Sequence, residues 1–497
     1  MRKFDCLIIG LFLFVLPSFA ASGITDDRIH VIFSGDHADP TIVRDGDDFY
    51  LTYTSHNKQP GLKIWHSRNL VDWTPVSYGL TENLGCVWAP DFIKHDDLFY
   101  IYFPVKGGKS YVITSKNPAG PWSKPVLLDI KGHWIDPGHI ADDKGNRYLH
   151  LNRGGMAPLS KDGLKVTGDP ISVYGGWKYP ADWNVECFCL ESPKLIRLGD
   201  YYYLTSAQGG TAGPATSHMI VTARATSPEG PWENSPYNPL VHTYSADEKW
   251  WSKGHGTIFD DADGNWYVIY HAYRKGKTAY GRHILIERIR WTEDGWIVTE
   301  RDREKEGSFE VHYNEKVTDD NFDKAELNLQ WQMTTEEARG GTNYKLGGGE
   351  FTFINKNEYM QTLQVNPSDK DYEVQIELGN RSGQTEVGIA IWYSETHMAG
   401  IGIQGDKVIL RSHHGGKKPI KGVEGEKVRF LKIHLEDQCA SFFYSIDGNK
   451  WTMHERSLEV SAYTHNALGG FFYLRPAIYT SGIGKASINS FKYKPVK

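Results

Sequence analysis

The sequence predicts an all-β protein of two domains, a five-bladed β-propeller followed by a β-sandwich. Three observations lead to this prediction. A segment centred on tyrosine recurs five times before residue 310. Apolar and polar residues alternate with the period of two that strands require, in these segments and again after residue 316. The length of 497 residues is enough for two domains that each bury a core.

The first 21 residues have the features of an export signal. Arg2 and Lys3 form a charged start, and an apolar run from Leu7 to Leu16 follows. Small residues around Ala20 then provide a cleavage site. The run is too short for a membrane span, and no other long apolar stretch follows it. We therefore expect an exported protein without a membrane span.

Four cysteines remain after the predicted cleavage, and two of them are close in sequence. Cys187 and Cys189 are expected to lie on the same face of a strand. Their spacing also suggests half of a metal site, but no second Cys/His pair at zinc-finger spacing accompanies them. We expect buried thiols or one disulfide among Cys86, Cys187, Cys189 and Cys439.

The recurring segments predict the five blades of a propeller domain over residues 22–312. Their central residues are separated by 50, 48, 55 and 64 positions, and they are Tyr50, Tyr100, Tyr148, Tyr203 and Tyr267. In four of the five copies Asp or Gly precedes the run closely, as a tight hairpin turn requires. Repeats of this length made of short strands are typical of a propeller with one four-stranded blade per repeat.

Acidic residues occupy the same position in several repeats. Asp39 precedes its tyrosine by 11 residues, whereas Asp136, Glu191 and His255 each precede theirs by 12. The second repeat has Ala89 at this position, with Asp91 two residues later. Because equivalent positions on the innermost strands of a propeller face one axis, we expect these side chains to form one cluster.

Two kinds of chemistry fit such a cluster. One is a divalent cation site made of oxygen ligands. The other is acid–base catalysis by paired carboxylates, as in glycosidic hydrolysis, where one group is protonated while another is ionised. The net charge of −6 provides no basic surface for nucleic acid. The 13% of aromatic residues serve β-rich cores but also stack on sugar rings, which favours carbohydrate chemistry.

Several motifs in this order and spacing resemble glycoside hydrolase family 43. They are HADPTIVRDGDDFYLTYTS, WAPD, WIDPGHI, LESPKLIRLGDYYYLTS and GHGTIFDDADGNWYVIYH, which together cover about residues 30–310. The resemblance implies a five-bladed propeller that hydrolyses arabinose- or xylose-containing glycans with inversion. It also implies that base and acid stand about 6.5–9.5 Å apart, with a water molecule between them.

The resemblance implies a role for each matching residue. Asp39 is expected to be the general base, Glu191 the general acid, and Asp136 the group that tunes and orients this acid. His255 corresponds to a central histidine that often contacts a calcium ion or a water cluster. Arg282 corresponds to an arginine near the acid. We therefore expect no required cofactor, with a structural calcium on the axis as a possible addition.

Other residues near these motifs are candidates for substrate binding or for the acid. Glu186 competes with Glu191, but it falls outside the repeat register and would point to the opposite strand face. Its pairing with Cys187 resembles retaining fructosidases, whose remaining motifs are absent here. Substrate contacts are expected from His37, Trp88, Asp91 and Arg282, and Asp36, Trp134 and Trp183 are weaker candidates with packing as the alternative.

Residues 316–497 form the second predicted domain. Short alternating runs such as YEVQIELG and TEVGIAIWYS predict a β-sandwich, and the segment resembles the concanavalin-like module that follows the propeller in many family members. Buttressing of the propeller is the preferred role, whereas independent sugar binding and closure of the active-site pocket stay open.

The expected function is exo-acting, inverting hydrolysis that releases terminal α-L-arabinofuranose or β-D-xylose from plant polysaccharides or oligosaccharides. An endo-acting arabinanase or xylanase of the same family is one alternative. A non-catalytic carbohydrate-binding propeller is the other, although all three acids are present.

Overall fold

Five antiparallel sheets form the blades of a propeller, and two larger sheets form a sandwich. The computed structural model describes residues 23–26, 28–299, 309–334, 343–382 and 385–496. The predicted export signal lies outside these residues. The all-β prediction with five blades and a sandwich is confirmed.

Blades 1 to 4 add their strands in chain order from the centre outward. Blade 1 comprises Thr41–Asp45, Asp48–Thr52, Gly61–Ser67 and Thr74–Leu80. Blade 2 comprises Asp91–His95, Leu98–Val105, Lys109–Ser115 and Val126–Leu128. Blade 3 comprises Gly138–Ala141, Arg147–Leu151, Gly155–Leu159 and Ile171–Ser172. Blade 4 comprises Glu191–Leu198, Tyr201–Gln208, Met219–Ala225 and Glu233–Asn234, with Val241–His242 beside its third strand.

Blade 5 closes the ring with a strand from the start of the chain. Its first three strands are Trp250–Asp260, Trp266–Arg274 and Arg282–Trp291, and its fourth is Ile29–Phe33. Two short strands, Ile297–Thr299 and Phe309–Val311, pair with its third and fourth strands respectively. All five marker tyrosines lie on the second strand of their blade, as the repeat predicts.

The turn between the first two strands of blade 1 shows how the sequence sets the register of strand pairing. Asp45 pairs with Asp48 across a loop of two residues, and Gly46 has a φ of +63°. A two-residue hairpin loop requires a positive φ, which glycine adopts without strain. The alternation on either side of this turn then places Ile42 and Leu51 in the buried face.

The sandwich consists of two sheets around one core. The first comprises Gly416–Pro419, Lys407–Ser412, Met398–Gln404, Glu386–Trp392, Arg475–Ser481, Gln361–Gln364, Gln332–Thr334 and, from the propeller, Lys58–Gln59. The second comprises Tyr344–Leu346, Phe351–Asn355, Gly484–Pro495, Tyr372–Arg381, Phe430–Glu436, Cys439–Ser445 and Thr452–Met453, with Leu458–Glu459 beside Cys439–Ser445.

Burial in the sandwich follows the side-chain period of a strand. Along Tyr372–Arg381, buried Tyr372, Val374 and Ile376 alternate with more exposed polar residues, because one face packs on the core. By contrast, Glu386–Trp392 is buried throughout, because apolar clusters cover both of its faces.

Helical structure is scarce in the described residues. The described 3-10 turns are Asn152–Gly154, Thr278–Tyr280, His413–Gly415 and Gly425–Lys427, and the described α-helix is His465–Leu468. None of the described helices is long and apolar enough to cross a membrane.

The two domains share a sheet and buried ion pairs. Gln59 of the propeller pairs with Met333 of the sandwich in the same sheet. Asp36 accepts a hydrogen bond of 3.1 Å from Arg475, and the carboxylate of Glu315 is paired with Lys63. The sandwich is therefore joined to the propeller by backbone and side-chain bonds on the side that carries the central cluster.

The segment before Glu191 differs from the prediction. Residues 185–190 form no strand, and Cys187 and Cys189 form a disulfide. The expectation that these cysteines lie on one strand face is wrong, because the innermost strand of blade 4 begins only at Glu191. Glu186 likewise lies on no strand, so the expectation that it points to the opposite strand face is also wrong.

Candidate active site

The cluster predicted from the repeat register lies in one cavity. Asp39 and Asp136 precede the innermost strands of blades 1 and 3, Glu191 begins that of blade 4, and His255 lies within that of blade 5. The cavity measures about 280 Å³ and is lined by Asp39, His56, Trp88, Ala89, Ile135, Asp136, Glu191, Thr211, His255, Arg282 and Phe471.

Unusual backbone conformations accompany the predicted residues. Asp39, Asp136 and His255 have φ values of +58°, +55° and +51°, and Ser192, next to Glu191, has +53°. Such values are uncommon for residues other than glycine and persist only where the surrounding structure enforces them. Positive φ therefore recurs at or next to the register position in four blades, which makes this edge of the propeller the candidate functional site.

Asp39 is held as an ionised carboxylate. Arg282 donates to its Oδ1 at 3.0 Å, and the Thr54 hydroxyl donates to its Oδ2 at 2.6 Å. The Thr54 hydroxyl in turn accepts the backbone N–H of Ala89 at 2.7 Å. Burial opposes ionisation, but the charge of Arg282 and the neighbouring imidazoles of His255 and His271 outweigh it and hold the pKa of Asp39 well below its usual range.

His271 is a neutral support for this base. Its Nδ1 accepts the backbone N–H of Asp39 at 3.0 Å, so its proton resides on Nε2, which lies 3.2 Å from the Thr211 hydroxyl. Burial lowers the pKa of His271 well below its usual value. This histidine therefore orients Asp39 without adding a positive charge to the cavity.

The pKa values of Glu191 and Asp136 are raised, whereas that of Asp39 is lowered. Burial and the charge of Asp39 raise the pKa of Glu191 to about 8, while burial and the charge of Glu191 raise the pKa of Asp136. Two neighbouring carboxyl groups resist double ionisation, so the pair retains a proton at neutral pH. Within this pair, the charge of Lys194 and the backbone N–H of Ser192 oppose the rise in the pKa of Asp136 but do not cancel it.

Two further histidines contact this region, and the sequence did not single them out. His218 is fully buried, with Nε2 3.5 Å from Oε1 of Glu191. His56 lines the cavity, and neither of its ring nitrogens has a hydrogen-bond partner among the described residues. Burial lowers the pKa of both histidines to about 4, so both are neutral groups at neutral pH.

A calcium ion fits the central residues poorly. Asp136, Glu191 and His255 each offer one ligand atom, and these atoms lie within 4.8 Å of one another. Calcium takes six to eight oxygen ligands, whereas this set includes an imidazole and a carboxyl group that holds a proton. A cation bound by all three residues would compete with that proton, so we assign no chemical step to a metal here.

The predicted substrate-binding residues separate into two groups. Trp88 and Arg282 line the cavity. Asp91 does not, because it lies within the innermost strand of blade 2 and its carboxylate accepts bonds from Lys194 and from the His139 N–H. His37 does not either, because its Nε2 is 3.1 Å from Glu315 at the interface with the sandwich. Asp91 and His37 therefore lie outside the cavity wall, and this geometry does not support the predicted substrate contact for either residue.

The weaker candidates also lie elsewhere. Asp36 is paired with Arg475 of the sandwich. Trp134 packs against the guanidinium of Arg153, and Trp183 stacks on His242. None of these three residues lines the cavity, and each has a structural contact elsewhere.

The competing acid, Glu186, lies outside the cavity wall. It is exposed, and its Oε2 accepts the backbone N–H of Ala212 at 2.9 Å. Its charge nevertheless contributes to the raised pKa of Glu191. Of the two glutamates, only Glu191 shares the cavity with Asp39 and Asp136.

The sandwich contributes one wall of the cavity. Phe471 lies on a sandwich loop, with its ring 5.3 Å from the guanidinium of Arg282 and stacked on His465. Next to it, the hydroxyl of Tyr473 is 3.1 Å from that of Tyr273. Buttressing was the preferred role for this domain, and the structure adds that of a pocket wall. No sequence signal marks Phe471, because its partners come from the other domain.

Comparisons with known proteins agree with this architecture. Residues 30–297 match the family model for glycosyl hydrolases family 43, and residues 319–494 match the beta xylosidase C-terminal concanavalin A-like domain. The BlXynB protein of Bacillus licheniformis, a GH43 protein of known crystal structure, superimposes with a TM-score of 0.80 at 25% identity. The match covers 94% of this chain and all of that protein.

Two curated relatives share part of their length with this chain. The chain is 32% identical to the non-reducing end alpha-L-arabinofuranosidase BoGH43B of Bacteroides ovatus, over 62% of the chain and 61% of the relative. It is 30% identical to a xylan 1,3-beta-xylosidase of Vibrio sp, over 54% of the chain and 56% of the relative. The chain thus spans about three fifths of the length of these relatives. The family match covers the five blades and every acid of the cavity, and the chain belongs to glycosyl hydrolase family 43.

Proposed function

We propose that this protein is an exo-acting, inverting glycosidase that releases terminal α-L-arabinofuranose or β-D-xylose. One observation carries the proposal: the same small cavity is lined by Asp39, whose pKa is held low, and by Glu191, whose pKa burial raises to about 8. Glycosidic hydrolysis requires this combination, since one carboxyl group must accept a proton while another donates one. The names of the two relatives support both sugars, and the substrate proposed is a plant polysaccharide or oligosaccharide.

The proposed reaction is a single displacement. Asp39 accepts a proton from a water molecule as the water oxygen attacks the anomeric carbon. The bond from that carbon to the leaving oxygen breaks, and Glu191 donates its proton to this oxygen. Asp136 keeps the acid protonated before the reaction, and Arg282 and Thr54 keep the base in place.

The shape of the cavity supports exo action. Its volume of about 280 Å³ is at the lower end for ligand pockets, which suits a single sugar unit rather than a long chain. Phe471 closes one side, and Trp88 offers an aromatic surface for the sugar or its leaving group. An endo-acting enzyme would require a cleft open at both ends.

A product-release screen tests the proposal. Purified protein is incubated with aryl α-L-arabinofuranoside, aryl β-D-xyloside, arabinan, arabinoxylan and xyloglucan. We expect monosaccharide as the first product, and proton NMR during turnover should show the inverted anomer first. Oligosaccharides as first products would favour the endo-acting alternative. Binding of glycans without any hydrolysis would favour the non-catalytic propeller.

Two further features belong to this proposal. We propose that the reaction needs no metal ion, so chelator-treated enzyme is expected to retain its full kcat. A loss of activity restored by calcium would contradict this. We also propose that the protein is exported, and N-terminal sequencing of protein recovered from the periplasm or medium is expected to begin near Ala21 or Ser22.

A further inference from the structure

A second cluster of metal-ligating side chains lies at the rim of blade 5, away from the cavity. Here the closing strand Ile29–Phe33 runs parallel to Phe309–Val311, which leads from the propeller to the sandwich. His30, Glu310 and His312 come together on this seam, and their ligand atoms lie within 4.8 Å of one another. We call these three residues the seam site.

One ring nitrogen of His30 lies close to one ring nitrogen of His312. Nδ1 of His30 lies 3.1 Å from Nε2 of His312, and the two rings are parallel within 2°. Two nitrogen ligands on a tetrahedral zinc ion, each at about 2.0–2.1 Å, stand about 3.3 Å apart. The observed spacing is therefore close to that of two imidazoles that share one ion.

Asp26 sets the tautomer of His30. Its Oδ1 lies 3.1 Å from Nε2 of His30, so the proton of this imidazole resides on Nε2. The lone pair of Nδ1 then points toward His312. Metal-binding histidines commonly have such a carboxylate behind them, which fixes the ring and raises its basicity. His30 is buried, with 2% of its surface exposed, so this arrangement is well constrained.

Glu310 supplies an oxygen ligand on the solvent side. Arg28 binds its Oε2 at 2.6 Å, which leaves Oε1 available, and the side chain is 43% exposed. Arg28 also binds Asp26, so one cation serves two carboxylates and the cluster favours a further positive charge. Two imidazoles and one carboxylate match zinc rather than calcium or magnesium, and a water molecule would complete the tetrahedral ligand set.

We propose that the seam site binds a zinc-class divalent cation that ties the entry strand of the propeller to its exit strand. The ion would link residues 280 positions apart in sequence, His30 and Glu310, at the point where the ring closes. Its role is structural, and it is independent of the proposed hydrolytic function.

Metal titration of the purified full-length protein tests the proposal. After treatment with a chelator, the protein is titrated with Zn²⁺ by calorimetry and with Co²⁺ by visible absorption. We expect one tightly bound equivalent, a nitrogen-rich tetrahedral Co²⁺ spectrum and an increase in Tm with Zn²⁺. In His312→Ala all three effects should be lost, while hydrolytic activity stays unchanged.

Three further variants test where the ion binds and separate the loss of a ligand from a general loss of folding. Asp26→Asn keeps every ligand and is expected to weaken binding by about 10–100-fold. His434→Ala is the matched control, because His434 lies between Glu373 and Glu436 without a second histidine, and it should bind Zn²⁺ as the unmodified protein does. His255→Ala removes the possible ligand of the central cavity and should also leave binding unchanged.

Several outcomes would overturn the seam site. These are absence of stoichiometric binding, unchanged binding in His312→Ala, and loss of binding in His255→Ala or His434→Ala. In each case the two imidazoles would form only a hydrogen bond with each other.

Discussion

Single residues of the cavity acquire different chemistry from their immediate neighbours. Asp39 has a cation and a hydroxyl donor within hydrogen-bond distance, so it is ionised despite burial. Burial and the negative charges of Asp39 and Glu186 raise the pKa of Glu191 to about 8, so it is protonated at neutral pH. The two carboxyl groups therefore differ because Arg282 donates a hydrogen bond to Asp39, whereas the charge of Arg282 does not offset the burial of Glu191.

The first prediction distinguishes the general base from the general acid by how the loss of kcat depends on the leaving group of the substrate. Asp39→Asn should lower kcat by about 10³-fold or more on every substrate, because no other group accepts the proton of the water. Glu191→Gln should cost about as much on xylo- or arabino-oligosaccharides but much less on aryl glycosides with an acidic phenol, whose departure needs little protonation. Steady-state kinetics on both substrate classes checks this, and equal losses for Glu191→Gln would contradict its role as the acid.

The second prediction concerns pH. Glu191 must be protonated, so kcat/KM should fall as pH rises through its pKa of about 8, while ionised Asp39 keeps the acid limb well below neutrality. Glu186→Gln removes a negative charge that raises the pKa of Glu191, so the basic limb should move to lower pH with kcat near its original value. A pH profile of each variant checks this, and inactivity of Glu186→Gln would instead make Glu186 the acid.

The start of each innermost strand positions the acid that lies there, in blades 1, 3 and 4. Asp39, Asp136 and the residue after Glu191 all adopt positive φ where the chain turns into a strand. In blade 4, pairing shifts register between Glu191 and Lys194, so Glu191 lies at the rim while Lys194 is buried between blades. The similar geometry of these strand entrances, repeated around the ring, therefore brings acids that are distant in sequence together.

The third prediction tests how tightly these entrances pack. A Cβ added to Gly138 would lie 1.9 Å from the carbonyl oxygen of Pro193, between the strands that carry Asp136 and Glu191. Gly138→Ala should therefore cost about 1–3 kcal/mol of stability and reduce kcat. Gly175→Ala is the matched control, since nothing lies within 4 Å of the added Cβ, and it should change stability by about 0.5 kcal/mol or less. Chemical denaturation and kinetics check both, and equal stability of the two variants would contradict this packing.

Register explains which site residues could be predicted from the sequence. The repeat placed Asp39, Asp136, Glu191 and His255 together because each lies at one position of its blade, and the structure brings them into one cavity. Asp91, two residues farther along, does not line the cavity, and its buried side chain pairs with Lys194. A residue on an innermost strand therefore lines the cavity only if it also lies at the correct position along that strand.

Residues that approach the cavity from elsewhere had no such signal. Thr211 lies after the second strand of blade 4, and His271 lies late in that of blade 5. Phe471 belongs to the other domain altogether. The fold class followed from alternation and repeat length, which are local properties. The cavity wall also depends on how the two domains pack, which no local pattern records.

At the scale of the whole molecule, the sandwich and the propeller form one active unit. The strand Lys58–Gln59 extends a sandwich sheet, and Asn366 donates to the backbone oxygen of Asp36 at 3.0 Å. Removal of one partner from a buried ion pair such as Asp36–Arg475 leaves an uncompensated charge, which typically costs about 3–5 kcal/mol. Deletion of residues 316–497 would break all of these contacts together, so smaller changes give a clearer test of the sandwich.

The fourth prediction isolates the catalytic contribution of the sandwich with two adjacent phenylalanines. Phe471 lines the cavity, whereas Phe472 packs on the sandwich core beside Tyr393. Phe471→Ala should lower kcat/KM roughly tenfold, which is about 1.4 kcal/mol, because it removes an apolar wall from the sugar. Its Tm should stay nearly constant.

Phe472→Ala should do the reverse. It removes half-buried apolar surface from the core, so it should cost about 2 kcal/mol of stability while KM and kcat stay near their original values. Kinetics and thermal unfolding of both variants separate the two roles of the sandwich. If Phe471→Ala lost stability but kept its kinetics, the sandwich would only buttress the propeller. We instead expect Phe471→Ala to lose activity and keep its stability, because the pocket is complete only when the sandwich loop that carries Phe471 covers the propeller cavity.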